Sequence, residues 1–389
     1  MTVTIIHNGR VLTPTRVIEK GYVLIEGERI SALGEGPSPQ VGGAVVLDAG
    51  GGYIGPGFID VHAHGADGHD AMDATPEALR AIAAFKARHG VTGFLPTTMT
   101  DNAEAIRGAL ANIGVCQDQR DSGSGAEVLG AHVEGPYFNV SKKGAQPPDY
   151  IRRADANEYA RWFELCTVGV VSVAPEFAEN QPLIGYARAR GAAVSIGHSD
   201  ASYEQAAAAV ALGANHVTHT YNGMSGLDHR APGVALAALT IPELYAEVIC
   251  DLHHVHPAMI DLLVRLKGSE RVVLITDAIR ATGLPDGEYR LGKQTAIVKD
   301  GLPRTPAGSL AGSSLTMDAA LRNALRATGL PLHEVWRMAS LTPAESIGLS
   351  AQKGSLEAGK DADVVVLDAD LHVAATVVRG RVVYSASES

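Results

Sequence analysis

The sequence predicts a (β/α)8 barrel of the TIM type that carries a small β-sandwich domain built from both ends of the chain. Eight short runs rich in Val and Ile are bounded by turns. Each run is followed by a segment long enough to form a helix, or by a longer connecting segment in the case of the last. Titratable side chains stand at or just past the ends of most of these runs, and a barrel gathers such ends in one mouth. Strand-like patterning at both termini predicts the smaller domain.

Length, composition and charge limit the classes of protein to consider. The 389 residues, 46% hydrophobic and 19% charged, suit a barrel of roughly 250 residues plus a smaller domain. A net charge of −11 with no basic stripe argues against a nucleic-acid partner, so an anionic substrate would need a local basic pocket. Three scattered cysteines are too few for a disulfide framework and favour a cytoplasmic protein. We expect neither a signal peptide nor a membrane span, since no run approaches the roughly 20 apolar residues that a span requires.

The two ends of the chain resemble each other in pattern. Residues 1–55 consist of short period-two runs separated by glycine turns, and residues 351–389 repeat that pattern. Because chain termini often lie close together, we expect these segments to form one β-sandwich. The barrel is then predicted over residues 56–350.

The barrel strands are predicted, in order, at 57–64, 90–98, 127–135, 167–176, 192–199, 215–222, 247–255 and 271–278. The segment TPEALRAIAAFKARHG predicts the first helix, with Thr75 as its cap and Pro76 in its first turn. DNAEAIRGALANIG predicts the second helix. After the eighth strand a longer excursion precedes the predicted helix TMDAALRNALRATG.

Two of these strand ends offer metal ligands near the start of the barrel. His62 and His64 are two residues apart, so strand geometry points both side chains the same way and makes them a usable pair of imidazole ligands. Glu134 lies in HVEGP, where a proline ends the third strand and directs the carboxylate into the mouth. Its predicted neighbours carry imidazoles, which favours metal ligation over a solvated rim position.

Later strand ends complete the constellation. His198 and His219, on consecutive strands, supply with Glu134 two nitrogens and one oxygen, leaving a position open for water as a catalytic zinc-type site requires. A regular strand sends His216 and His219 to opposite faces, so we expect only His219 to ligate. Asp277 ends the eighth strand and is suited to take a proton from the attacking water and pass it to the departing nitrogen. Such donor sets accept zinc, iron, manganese or cobalt, and zinc is the first expectation.

Taken together, the motifs GPGFIDVHAHG, HVEGPYFN, KKGA, IGHSDA, THTYNGM, ITDAI, LAGSSLTMD and GSLEAGKDADVVVLD resemble the N-acetylglucosamine-6-phosphate deacetylases of the amidohydrolase superfamily. They occur in order between residues 5 and 385, and HVEGP, THTYNGM and AGSSLTM are the ones that narrow the resemblance to deacetylases. The resemblance implies metal-dependent hydrolysis of the N-acetyl group of N-acetyl-D-glucosamine 6-phosphate to glucosamine 6-phosphate and acetate.

The resemblance also implies roles for individual residues. Glu134, His198 and His219 would be the principal metal ligands, Asp277 the acid/base residue, and the His pair of the first strand, bridged by Glu134, would hold a second ion. A homodimer is implied as well, in which Arg230 and His254 come from the neighbouring subunit. The substrate-binding residues that it implies are Ala145, Gln146, Asn222, Gly223, Arg230, His254, Leu310, Ala311 and Gly312.

One position departs from the family pattern. After KKGA many members carry a substrate-contacting His, where this chain has Gln146. An amide can donate a hydrogen bond to a carbonyl but cannot titrate. Either Gln146 takes over the positioning role, or the preference for the acyl group or the sugar epimer differs.

Other functions remain open at this point. One alternative is an N-acetylgalactosamine-6-phosphate deacetylase, and another is an amidohydrolase that acts on a cyclic amide or a nucleobase. Most cyclic-amide hydrolases use a carbamylated Lys at the fourth strand, whereas that strand here ends in Ala174, Pro175 and Glu176. A catalytically inactive scaffold is the third alternative, although scaffolds usually lose ligands that this chain keeps.

Overall fold

A computed structural model describes residues 2–119 and 125–388 of the chain. Residues 1 and 389, at the outer limits of the predicted terminal segments, lie outside the described residues. Within the described ranges the chain forms a parallel barrel surrounded by helices and a mixed sheet to which both ends contribute, so the predicted fold class is confirmed.

The terminal sheet begins with five strands of the N-terminal segment. They are β1 (Val3–Leu12), β2 (Val17–Glu26), β3 (Arg29–Glu35), β4 (Val45–Asp48) and β5 (Tyr53–Pro56). The first three pair as an antiparallel meander, while β1 also runs parallel to β4 and β5.

The barrel follows at once. Its region contains β6 (Phe58–Ala63), β7 (Gly65–Ala66), β8 (His69–Asp70), β9 (Val91–Thr98), β10 (Glu127–Val128), β11 (Ala131–Glu134), β12 (Val168–Val173), β13 (Ala193–Ile196), β14 (His216–Val217), β15 (Tyr245–Ile249) and β16 (Val272–Ile275). Eight of these, in the order β6-β9-β11-β12-β13-β14-β15-β16, are parallel, and each overlaps one of the eight predicted strands. The sixth strand is shorter than the predicted 215–222, and the seventh ends at Ile249, well before the predicted 255. The barrel closes where the backbone N–H of Asp277 donates to the carbonyl of His62 at 2.9 Å.

Ten α-helices lie in the described residues. They are α1 (Pro76–Arg88), α2 (Ala103–Asp118), α3 (Ala156–Leu165), α4 (Gln181–Arg188), α5 (Tyr203–Ala211), α6 (Val234–Thr240), α7 (Pro257–Lys267), α8 (Met317–Thr328), α9 (Leu332–Ala339) and α10 (Leu341–Ser346). The helix after the first strand starts as predicted, because Thr75 accepts a hydrogen bond from the backbone of Ala78 and Pro76 opens the first turn. Among the described helices, none is both long and apolar enough to cross a membrane.

The excursion after the eighth barrel strand is a small antiparallel sheet. Its strands are β17 (Gly287–Leu291), β18 (Gln294–Lys299) and β19 (Leu302–Arg304). The sheet contacts the loop that follows the third barrel strand, where the side-chain amide of Gln294 donates to the carbonyl of Ala145 at 2.8 Å. It therefore forms one side of the barrel mouth.

The chain ends in β20 (Val364–Leu367), β21 (Val373–Val378) and β22 (Arg381–Ser385). The first of these pairs antiparallel with β5, so the two ends of the chain share one sheet, as predicted from their similar patterns. Trp336 of α9 joins this sheet to the barrel: its indole N–H donates to the carbonyl of Pro56 and its ring packs on Phe58.

Candidate active site

The C-terminal ends of the barrel strands surround a pocket of about 260 Å³. Most of the side chains predicted from the sequence lie on its wall, although up to 248 positions separate them (64 to 312). The predicted residues that line it are His64, Glu134, Ala145, Gln146, His198, His219, Asn222, Gly223, His254, Asp277, Leu310 and Gly312.

Glu134 stands at the centre of the cluster, at the last position of β11. Its Oε1 atom lies 3.2 Å from Nε2 of His198, 3.3 Å from Nε2 of His219 and 3.5 Å from Nε2 of His62. All four side chains are buried. A single carboxylate oxygen thus faces three imidazole nitrogens inside the barrel mouth.

The backbone fixes which ring nitrogen of the two later histidines faces this centre. Nδ1 of His198 lies 2.8 Å from the carbonyl of Lys142, and Nδ1 of His219 lies 3.1 Å from the carbonyl of Asn222. A carbonyl only accepts, so each Nδ1 carries a proton and each ring directs its Nε2 atom into the site. The two Nε2 atoms are 3.2 Å apart, with Glu134 beside both. Three converging electron-rich atoms fit a divalent cation.

The histidines of the first strand repeat this arrangement. Nδ1 of His62 lies 3.0 Å from a carboxylate oxygen of Glu247, and Nδ1 of His64 lies 3.2 Å from the carbonyl of Thr97. Their Nε2 atoms face Asp277, whose Oδ1 is 3.5 Å from the first ring and 3.3 Å from the second. Nε2 of His62 is buried and has no hydrogen-bond partner among the described residues, which again fits a ligand atom.

Four groups of three side chains among the described residues could hold a cation, with all ligand atoms of a group within 4.8 Å of one another, and two of the four lie at the barrel mouth. One group is Glu134, His198 and His219, and the other is His62, His64 and Asp277. Glu134 reaches both, since its Oε2 is 3.3 Å from Nε2 of His64. Its two oxygens thus span the two groups.

The protein environment of the site favours positive charge. Burial alone would raise the pKa of Glu134, but the charge of His62 and the hydrogen bonds of its imidazole neighbours hold it well below the usual range. Asp277 is similar: burial opposes ionisation, yet the nearby imidazoles lower its pKa. Burial opposes protonation of His62, but Glu134, Asp277 and Glu247 together raise its pKa to about 9.

Backbone strain marks the strand ends that carry these side chains. His198, His219 and Asp277 have φ angles of 47°, 29° and 49°, in the left-handed region that residues other than glycine rarely adopt. Each costs on the order of 1–3 kcal/mol, and such strain concentrates at functional sites. Gly223 allows a close approach here, because a Cβ at this position would lie 3.1 Å from Nδ1 of His198.

Gln146 is buried in the wall of the pocket, and both ends of its amide are engaged by the protein. Its Oε1 accepts from the backbone N–H of Thr100 at 2.9 Å, and its Nε2 donates to Oε2 of Glu134 at 2.7 Å. The amide therefore orients the central carboxylate.

Three predicted residues are not on the wall of the pocket. Arg230 lies on an exposed loop after the sixth barrel strand and does not line the pocket of its own subunit. Ala311 is fully buried in a small core with Met99 and Ile279, so its methyl group does not face the pocket. His62 lies just beneath the pocket floor and is completely buried.

Sequence reasoning missed a buried polar group below the pocket, made of Glu247, His132 and His216. Nδ1 of His216 lies 3.3 Å from Oε1 of Glu247, inside the barrel. The expectation that His216 and His219 point to opposite faces is therefore wrong, because β14 ends at Val217 and the chain then leaves strand geometry. A glutamate in the middle of an apolar run was the available signal.

A second missed residue supports His254 at the other side of the pocket. Asp251 accepts hydrogen bonds from the backbone N–H groups of His253 and His254, and its Oδ2 lies 2.6 Å from Nδ1 of His254. This leaves Nε2 as the free nitrogen of His254, and that side chain lines the pocket.

A closed parallel barrel with imidazoles and carboxylates at its strand ends defines a class of hydrolase with metal-binding sites in the barrel mouth. The sequence model of the Amidohydrolase family matches residues 53–383. The chain belongs to this family.

Individual relatives cover most of the chain. It is 46% identical over 336 residues to the N-acetylglucosamine-6-phosphate deacetylase of Vibrio furnissii, which is 86% of this chain and 84% of that protein. It is 43% identical over 328 residues to the N-acetylgalactosamine-6-phosphate deacetylase of Escherichia coli O157:H7, covering 84% and 86% of the two chains. A mutant N-acetyl-D-glucosamine-6-phosphate deacetylase from Mycobacterium smegmatis, solved in complex with N-acetyl-D-glucosamine 6-phosphate, superposes with a TM-score of 0.91 at 32% identity, over 99% of this chain and 100% of that one.

Proposed function

We propose that the protein hydrolyses the N-acetyl group of N-acetyl-D-glucosamine 6-phosphate, releasing glucosamine 6-phosphate and acetate. The observation that carries the proposal is the convergence of Glu134, His198, His219 and Asp277 on one pocket. The substrate class comes from the names of the relatives, because each of those relatives matches more than four fifths of the chain. The fourth barrel strand, Val168–Val173, contains no lysine, which argues against the carbamylated-lysine hydrolases.

Glu134, His198 and His219 would hold one divalent ion, and His62 with His64 a second. Zinc is the first candidate, with iron, manganese and cobalt compatible with the same donors. When bound, the metal supplies Lewis-acid polarisation of the amide carbonyl and a lowered pKa for water.

Asp277 is the proton carrier in this proposal. Its lowered pKa keeps the carboxylate ionised, so it can accept a proton from the attacking water. As the C–N bond breaks, the same carboxyl group returns that proton to the departing amine. The backbone of Asp277 supports this role, because its N–H donates to the carbonyl of His62 and its own carbonyl accepts from Ser313.

The phosphate group of the substrate favours contact with cationic side chains. Among the described residues that line the pocket there is no Arg or Lys. We infer that Arg230 of a neighbouring subunit completes the site, since its exposed loop also presents Leu227, an exposed apolar side chain suited to an interface. The planar guanidinium matches two phosphate oxygens. His254, held by Asp251, would contact the substrate from within the subunit, in place of the cross-subunit position implied by the resemblance.

N-acetyl-D-galactosamine 6-phosphate is the second candidate substrate. The 43% identity to a deacetylase named for that sugar is close to the 46% identity to one named for the glucosamine epimer. Gln146 does not decide between them from its contacts, because both ends of its amide are bonded within the protein.

The test compares kcat/KM for both 6-phosphorylated N-acetyl sugars and for their unphosphorylated forms, with metal analysis of the same preparation. We expect the glucosamine derivative with phosphate to be the best substrate and each active preparation to contain one or two divalent ions per subunit. A higher kcat/KM for the galactosamine epimer would select the second candidate. No release of acetate from either phosphorylated sugar would refute both.

A further inference from the structure

We propose that Glu247 is a positioning residue of the metal centre that sets the ring orientation and tautomer of His62 and fixes the backbone of His219. The inference rests on the metal site of the proposed function, but it concerns a residue that lies below the pocket and does not line it.

Glu247 is completely buried in the middle of the seventh barrel strand, β15. Its Oε2 lies 3.0 Å from Nδ1 of His62 and accepts from the backbone N–H of His219 at 3.1 Å. One carboxylate oxygen therefore contacts the first barrel strand and the chain just past the sixth. These are the strands that carry ligands of the two metal groups.

The other ligand histidines do not depend on a side chain in this way. Nδ1 of His64, of His198 and of His219 each faces a backbone carbonyl, which any amino acid at the acceptor position would provide. Of the four imidazoles, only His62 has a side-chain acceptor at Nδ1 among the described residues, namely Glu247. The proton-bearing nitrogen of His62 is thus set by the identity of one residue.

The surroundings of Glu247 point to function over stability. Its Oε1 atom and both ring nitrogens of His216 are buried without a hydrogen-bond partner among the described residues. The ring of His132 packs edge-on against His62, with centroids 4.4 Å apart, which restricts rotation of the His62 ring. A buried carboxylate whose second oxygen has only the 3.3 Å contact with Nδ1 of His216 is costly to keep, which argues for a functional role. A carboxylate behind a ligand imidazole raises the basicity of that ligand and holds its orientation.

The decisive experiment measures Co²⁺ binding by the metal-free protein, by competition with a chromophoric chelator. We expect Glu247→Gln, which keeps the shape and removes the charge, to weaken Co²⁺ binding by about 10- to 100-fold. In a His62→Gln background the same change should alter binding less than about twofold, because the glutamine carbonyl can still accept from the backbone N–H of His219 and only the route through His62 is lost. Asp318→Asn is the matched control: this carboxylate is also buried, but it pairs with His89 at the start of α8, belongs to no group of described residues that could hold a cation, and should leave Co²⁺ binding unchanged.

Unchanged Co²⁺ affinity in Glu247→Gln, with wild-type protein that binds Co²⁺ and is active, would overturn this inference alone. An equal loss with and without His62 would overturn it as well, since Glu247 would then act by another route. Wild-type protein that binds no Co²⁺ would overturn the proposed function together with the inference.

A second measurement uses protein with Glu247 intact, so it does not depend on whether the Glu247→Gln variant folds. Long-range ¹H–¹⁵N spectra of zinc-loaded, ¹⁵N-labelled wild-type protein report which ring nitrogen carries the proton, and the His62→Gln spectrum assigns the signals. We expect His62 to be protonated at Nδ1. A His62 ring protonated at Nε2 would overturn the inference.

Discussion

The side-chain amide of Gln146 donates a 2.7 Å hydrogen bond to Oε2 of Glu134, the carboxylate oxygen that also faces His64. The opposite oxygen, Oε1, faces His198 and His219. A carboxylate that can rotate would exchange these two environments, and the amide prevents that rotation. Gln146 thus links the loop after the third strand to the division of the site into two metal groups.

Gln146→Ala should therefore reduce kcat by about 10- to 100-fold and lower metal content, since the change releases the carboxylate that orients both groups. It also leaves the buried N–H of Thr100 without its acceptor. Gln294→Ala is the control, because that amide contacts the same loop through the carbonyl of Ala145 but does not touch Glu134. Steady-state rates and metal analysis check the prediction. Wild-type values of both in Gln146→Ala would contradict it.

Asp277→Asn should lower kcat by about 10²–10⁴-fold while the protein keeps the metal of the Glu134 group. The amide retains the shape of the carboxylate but cannot carry a proton from water to the leaving amine. Metal analysis beside the rate assay separates this effect from loss of the ion. A near-normal rate with full metal content would remove Asp277 from the proton-transfer role.

The strand-end residues could be predicted because their signal is local. A parallel barrel places every strand end at one rim, so an apolar run that stops at His198, His219 or Asp277 already determines the neighbourhood of that side chain. The helix starting at Pro76 was predictable for the same reason, since its cap lies within three residues.

Contacts inside the barrel were not predictable from such local signals. His62 and Glu247 are 185 residues apart, and only the closure and tilt of the barrel put them in contact. The face of His216 was predicted wrongly because its strand is two residues long, too short for the period-two rule to hold, although His219 and not His216 lies in a group that could hold a cation, as expected. The proposed role of Arg230 would depend on a second subunit, which no pattern within one chain specifies.

Stability at low pH should depend on Asp318, at the start of α8. Burial alone would raise the pKa of this carboxyl group, but hydrogen bonding to His89 and the charge of Arg322 lower it to about 2. Because the pKa of Asp318 is lower in the folded than in the unfolded state, this carboxylate stabilises the folded protein above pH 3.8, the unfolded value. That stabilisation is lost as the pH falls towards 2. Asp318→Asn should then cost about 2 kcal/mol of unfolding free energy at pH 7 and clearly less at pH 3.

Urea unfolding at pH 7, 4 and 3 checks the Asp318 prediction. Glu204→Gln is the control, since Glu204 is a fully exposed carboxylate whose loss should change little at any of these pH values. A difference between wild type and Asp318→Asn that stays constant from pH 7 to pH 3 would show that Asp318 does not titrate as described.

The position of Arg230 can be tested by mixing inactive subunits. If Arg230 acts across a dimer interface, an Arg230→Ala subunit retains Asp277 but takes its phosphate contact from its partner. An Asp277→Asn subunit can supply that arginine, so a mixed dimer contains one complete site and one doubly defective site. Equal mixing after reversible dissociation should restore about a quarter of wild-type activity, from half of the dimers carrying one working site of two.

The mixture should be assayed with phosphorylated substrate below its KM, where loss of a phosphate contact is largest. Each variant alone is the control and should remain far below the mixture. The unphosphorylated sugar provides a second control, because Arg230→Ala should not change its turnover. Activity of the mixture equal to the mean of the two variants would place Arg230 within its own subunit or outside the site, since no partner could then have supplied the missing guanidinium.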